Sequence, residues 1–280
     1  DITVSEWTYA DSKETAIKVT DKVTLTGNLD DIAVYNSVVN GVVTITAVPK
    51  TKGTFKEVEP VSVNSNATLS QSIDVHTGTR TIKLTNITGN VTVTFYGTYC
   101  YDLITEFTVN AGESVKMLYT YVSSTNKAKI LRIREEDEDI PVASTHTWAE
   151  GGKHILRYSF TNHAVPYDMF NGVTALTGVE IGDCVTALES YAFKGTSIER
   201  VVIPETVSSF GSSIFYDCTK LKNAVLPKGI TEIYDSMFRG CESLQSIDIP
   251  EGVTRFGDFA FDGCSSLASI ILPAGVTYVG

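Results

Sequence analysis

Pro204, Pro227, Pro250 and Pro273 recur at a constant spacing of 23 residues, and Phe215, Phe238, Phe261 and Cys218, Cys241, Cys264 keep the same step. A unit of this length is one short rung whose apolar face cannot form a core alone, so successive rungs must stack on one another. The C-terminal half of the 280-residue chain is thereby constrained to a solenoid. Six apolar columns support this. Leu176, Ile198, Leu221, Leu244, Leu267 form the first, Val179, Val201, Ala224, Ile247, Ile270 the second, and Ile181, Ile203, Leu226, Ile249, Leu272 the third. Val185, Val207, Ile230, Val253, Val276 follow, then Leu188, Phe210, Ile233, Phe256, Val279, and last the aromatic column Phe193, Phe215, Phe238, Phe261.

Within a rung, Leu244 to Ile249 alternates inward and outward, the period of a half-buried strand. Pro250 ends it, because proline has no N–H to continue a ladder, and Glu251-Gly252 supplies turn chemistry. Between that turn and the cysteine column there is room for about one helical or 3₁₀ turn at ~1.5–2 Å per residue. Short helical returns opposite the strands are expected.

This pattern resembles the BspA-like leucine-rich repeats of bacterial surface proteins, over residues 175–280. Leu267 to Pro273, Val253 to Phe256 and Ala260-Phe261-Asp262-Gly263-Cys264 match the repeat nearly position for position. Two departures stand out. The rung at Gly195-Thr196 is one residue short and lacks its cysteine, and Gly182 stands where proline is expected. Upstream, residues 153–173 read as an atypical N-terminal cap.

Residues 1–139 differ in character. Val42-Val43-Thr44-Ile45-Thr46 and Val91-Thr92-Val93-Thr94-Phe95 alternate as strands do, punctuated by Asn40-Gly41, Gly89-Asn90 and Asn110-Ala111-Gly112. The expectation is one Ig-like all-β sandwich over 1–139. Glu135 to Asp139, five carboxylates before Pro141, reads as a solvated hinge rather than a calcium loop. The linker is set at 140–152 and the repeat domain at 153–280. The chain stops within a rung, at Tyr278-Val279-Gly280, so further repeats or a docked neighbour are expected there.

A net charge of -11 disfavours nucleic acid and anionic membranes, which need lysine and arginine to displace counterions. No stretch of 18 apolar residues is present, so membrane insertion is not expected. Among five cysteines, three recur at 23 and read as buried spine residues, whereas Cys100 and Cys184 lie off that register. No C-x-x-C pair, nucleophile elbow, P-loop or H-E-x-x-H occurs, so neither cofactor nor enzyme is expected. His154 and His163 flank the cap and are positioned to meet Asp168, with a capping role the alternative.

Surface remains as the carrier of function. The outward position beside the third column reads Glu180, Val202, Val225, Asp248, Ile271, three of them β-branched apolar residues. Arg200, Lys222, Asn223, Gln245 and Ser246 rim it. The candidate partner-binding face is thus Arg200, Val202, Lys222, Val225, Gln245, Asp248 and Ile271. Cross-rung strand pairing is the plainer account of the valines. The resemblance implies an exported or cell-surface adhesion protein that binds host or neighbouring-cell proteins. The alternative is glycan binding by the sandwich through Trp7, Tyr9, Tyr96, Tyr99 and Tyr101.

Overall fold

In a computed structural model, residues 16–27, 29, 32–50, 56–74, 79–95, 98–119, 124–136 and 138–280 are described. The chain divides into two compact units, Asp1–Cys100 and Tyr101–Gly280. Among the described residues the sole helix is Ser124–Lys127, and no helix is long and apolar enough to cross a membrane.

In the first unit the alternating Val and Thr residues build two four-stranded sheets. One runs in the order Ala16–Lys18, Val23–Gly27, Val91–Phe95, Ser62–Val63, and the other Ile32–Val39, Val42–Pro49, Thr79–Thr85, Thr68–Asp74. The hairpin between Ile32–Val39 and Val42–Pro49 turns on Asn40 and Gly41, both with positive φ (50° and 78°), as a two-residue connection matching strand twist requires. Val43, Ile45, Ala47, Ile82 and Leu84 from one sheet share a core with Val23, Leu25, Val91, Val93 and Phe95 from the other.

The second unit begins with an antiparallel sheet in the order Glu138–Asp139, Ile130–Glu135, Gly152–Phe160, Leu103–Val109, Leu176–Ile181. Leu103–Val109 lies between Gly152–Phe160 and the first repeat strand, so this sheet is the solenoid's N-terminal cover. The division into compact units therefore falls at 100/101 and not at 139. The physical reason is burial. Leu103, Phe107, Leu156, Tyr158 and Phe160 are buried in the same core as the repeat columns, with Tyr158 edge-on to Phe170 at 5.4 Å.

The segment expected to be a linker is ordered by pairing. Thr145–Thr147 pairs with Ser114–Lys116, and Trp148 is buried. The acidic run is a hairpin turn rather than a hinge: Glu135 pairs with Glu138 across it, and Glu136 takes φ 46°. Two of its carboxylates have partners close by. Asp139 accepts from Arg132 Nε at 2.8 Å, and Glu135 accepts from Trp148 Nε1 at 2.8 Å and lies 2.7 Å from His154 Nδ1.

The repeats stack in parallel. Arg200–Val202, Asn223–Val225 and Ser246–Ile247 form one ladder in which Val201, Ala224 and Ile247 are in register and buried. On the return side Ala164–Val165, Ala187–Leu188 and Ser209–Phe210 form a second, and Glu232–Ile233, Arg255–Phe256 and Tyr278–Val279 a third. Residues 163–170, assigned above to an atypical cap, are a rung in register. Five phenylalanines, Phe170, Phe193, Phe215, Phe238 and Phe261, stack with centroids 5.5–5.7 Å apart and planes within 10°. Each proline closes its strand with a turn, as in the Val207 and Ile230 amides donating to the Pro204 and Pro227 carbonyls at 3.1 Å.

The returns are not helical. Asp168, Tyr191, Ser213, Ser236 and Phe259 share a column with φ from 53° to 61°, and Gly172, Gly195, Asp217, Gly240 and Gly263 form another left-handed column four residues on. A right-handed helix cannot pass through such positions. Amides along the return instead alternate between partners. Cys241 N–H donates back to Phe238 O at 3.1 Å, whereas Phe238 N–H donates to Ala260 O of the next rung at 2.9 Å.

The recurrent cysteines are buried or half-buried free thiols that bond the spine. Cys218, Cys241 and Cys264 donate to the carbonyls of Phe193, Phe215 and Phe238 at 3.1–3.2 Å. Burial pushes Cys218 and Cys264 up to about 11 from 9.0, and Cys241 higher still. In the short rung Thr196 replaces the thiol with a hydroxyl, donating to Phe193 O at 2.9 Å.

Candidate interaction face

An inward-outward alternation fixes which side chains leave the solenoid on its strand side. Because Val201, Ala224 and Ile247 point in, Arg200 and Val202, then Asn223 and Val225, point the other way. All seven residues expected on this face, Arg200, Val202, Lys222, Val225, Gln245, Asp248 and Ile271, are exposed. Val202 and Val225 are direct register partners across two rungs, and they keep 46% and 41% of their surface in solvent. Ile271 is 87% exposed.

Charge surrounds this apolar pair. Lys222 Nζ bonds Glu199 Oε2 at 2.7 Å, and that bond together with the lysine's charge holds the Glu199 carboxyl below its ordinary range. Both groups are more than half exposed, so the pair orients the rim more than it stabilises the fold. Asp248 follows the valines at the repeat step and interrupts the apolar series before Ile271. The first repeat strand, Leu176–Ile181, carries Glu180 at the same outward position.

The histidine expectation is corrected by geometry. His154 bonds Glu135, and His163 Nδ1 lies 2.7 Å from Asp102 Oδ1; neither meets Asp168, whose Oδ1 accepts from Asn171 Nδ2 at 2.8 Å. Asp102 carries no sequence signal, because it sits about sixty residues from its partner and is brought there by strand pairing. Of the aromatics considered for glycan, Trp7, Tyr9 and Tyr96 lie outside the described residues, as does the Tyr99 side chain. Tyr101 is buried under the Arg157 guanidinium at 5.1 Å, so its ring is closed to a sugar.

A second aromatic series was not read from the sequence. Lys194 sits over the rings of Tyr191 and Tyr216 at 5.4 and 4.9 Å, and Arg239 over those of Tyr216 and Phe259 at 5.6 and 5.0 Å. Cation and ring alternate up the return side in a way that supports rung stacking. The residues occupy two adjacent columns, and neither column alone is aromatic enough to be noticed.

Comparison with known proteins bears on the repeats. Residues 163–280 match the family model described as "BspA type Leucine rich repeat region" in six copies. A leucine-rich repeat protein from Bacteroides ovatus is similar at 27% identity and TM-score 0.41, covering 41% of this chain and 30% of that one. A leucine rich cell surface protein from Faecalibacterium prausnitzii is similar at 41% identity and TM-score 0.34, covering 35% of this chain and 26% of that one. The chain thus spans under a third of either relative. No curated protein matches it. The columns, the stacked rungs and the family match agree that residues 163–280 are a BspA-type leucine-rich repeat region.

Proposed function

We propose that this chain is a non-enzymatic recognition protein, exported or displayed at a cell surface, that binds a protein partner through the strand face of its repeats. The observation that carries this reading is the register pair Val202 and Val225, apolar, solvent-exposed and rimmed by Arg200, Lys222 and Gln245. An apolar centre inside a polar rim is the layout of protein interfaces. Repeat solenoids use extended faces of this kind for binding. The face is only about 20 Å along the stacking direction, at ~4.8 Å per rung, so each contact is weak and gains from multiplicity. Residues 1–100 act as a β-sandwich spacer, a role supported by two sheets that share one core.

The test is binding of the full chain to a panel of immobilised extracellular-matrix proteins, with wild type compared to Val202→Lys/Val225→Lys. At least tenfold weaker binding by the double variant, with melting temperature within a few degrees of wild type, is the expected result. Unchanged binding to the proteins that wild type binds, or no binding by wild type, removes the proposal.

A further inference from the structure

Three chain segments far apart in sequence deliver metal-ligating side chains to one point of the second unit. Asp102 stands immediately before the strand Leu103–Val109, His163 in the turn after Gly152–Phe160, and Cys184 in the turn after Leu176–Ile181. Leu103 is opposite both Tyr158 and Ile181, so pairing in the antiparallel sheet makes these ends converge. His163 Nδ1 lies 2.7 Å and Cys184 Sγ 3.5 Å from the same oxygen, Asp102 Oδ1, and the three ligand atoms all fall within 4.8 Å of one another.

The carboxylate is held in place by bonds that a metal would leave intact. Its side chain is 1% exposed, and Oδ2 accepts from Phe160 N–H at 2.6 Å while Oδ1 faces the imidazole and the thiol. The Asp102 carbonyl accepts from Gly182 N–H at 2.8 Å. That bond explains why glycine replaces the repeat's proline here: proline has no N–H to give. The departure at residue 182 and the off-register cysteine at 184 thus belong to one local arrangement.

We propose that Asp102, His163 and Cys184 form a three-ligand site for a divalent transition metal of zinc's class. Imidazole nitrogen, thiolate sulfur and carboxylate oxygen are the donors Zn²⁺ takes, and tetrahedral bonds of ~2.0–2.3 Å place such donors about 3.3–3.6 Å apart. The sulfur–oxygen separation of 3.5 Å already satisfies this. His163, whose side chain is 51% exposed, has to withdraw by about 0.6–0.9 Å from its hydrogen-bond contact. On coordination the Cys184 thiol proton passes to solvent, and neutral His163 binds through Nδ1 as the tautomer whose single ring proton sits on Nε2. Two anionic ligands neutralise the dication in a partly buried place. The exposed histidine side leaves the fourth position to water, as in three-ligand zinc sites.

The test uses the full chain stripped with chelator and titrated with Co²⁺ alone. Wild type is expected to develop the thiolate-to-cobalt charge-transfer band, saturating at one equivalent and abolished by Zn²⁺. Cys184→Ser loses the band. His163→Asn, which keeps a residue tolerant of the φ of 52° at this position, weakens binding at least about tenfold. Cys100→Ser and Cys264→Ser retain the band. Both ligands replaced are partly exposed, so circular dichroism should show native folds; if one variant is misfolded, a Zn²⁺-induced rise in the melting temperature of wild type that is absent in the other variant decides. A wild type without the band, a band or thermal shift that survives Cys184→Ser in a folded variant, or an unchanged Co²⁺ affinity in folded His163→Asn overturns the proposal.

Discussion

At the scale of single residues, the stability of the repeats rests on columns, and the columns differ in what they tolerate. Phe215 is fully buried between Phe193 and Phe238, so Phe215→Ala leaves a cavity that both neighbouring rungs line. Denaturant unfolding should show a loss of ~3–5 kcal/mol. Thr196 is a milder case. Thr196→Val removes the hydroxyl bond to the Phe193 carbonyl and should cost about 1 kcal/mol, whereas Thr196→Cys restores the thiol of the other rungs and costs less. The thiols also predict a pH response. Because folding raises Cys218 and Cys264 from 9.0 to about 11, the native state holds protons that the unfolded chain has lost between those values. Their contribution is complete below pH 9 and declines as pH rises toward 11, so urea midpoints should be flat to pH 9 and fall above it. Midpoints that rise above pH 9 contradict burial of these thiols. The sequence showed that the thiols were spine residues, but not that each sulfur bonds a carbonyl 26 or 25 positions back, since that depends on backbone direction in the return.

At the scale of the rung, handedness decides the return. Two left-handed columns four residues apart keep the chain in a ribbon of turns whose amides bond alternately within and between rungs. Proline spacing, strand alternation and the phenylalanine ladder were all legible in the sequence, because each is a side-chain pattern repeating at 23. The return was not. Tyr191, Ser213, Ser236 and Phe259 carry no common side-chain signature of positive φ, and only the glycine column hinted at it. Gly257 illustrates how close the rungs come at the third ladder: a Cβ there would lie 2.6 Å from the Asp235 amide nitrogen and 2.9 Å from the Tyr234 carbonyl carbon. Since both are backbone, Gly257→Ala must push two rungs apart. It should lower stability by ~1–3 kcal/mol and shorten the protection of the Gly257 and Ala260 amides in hydrogen exchange.

At the scale of the molecule, the repeats and the antiparallel sheet before them are one folding unit. The boundary was misplaced in the sequence reading because residues 101–135 alternate like those before them, and a charge run resembles a hinge whether or not arginines face it. Arg132 and Arg134 do face it. A fragment of residues 101–280 should therefore melt in one cooperative transition, as followed by circular dichroism. A fragment of 153–280, deprived of Leu103–Val109 between Gly152–Phe160 and Leu176–Ile181, should be unfolded or aggregated. The candidate face was legible because it follows from strand alternation alone, whereas Asp102 with His163 and Cys184 was not, because strand pairing over long separations unites them. The most direct test of the whole account is surface plasmon resonance of fragments 1–100 and 101–280, side by side with the intact chain, on the same matrix-protein panel. The account predicts that 101–280 reproduces the affinity of the intact chain while 1–100 gives no signal; binding that travels with 1–100 would contradict it.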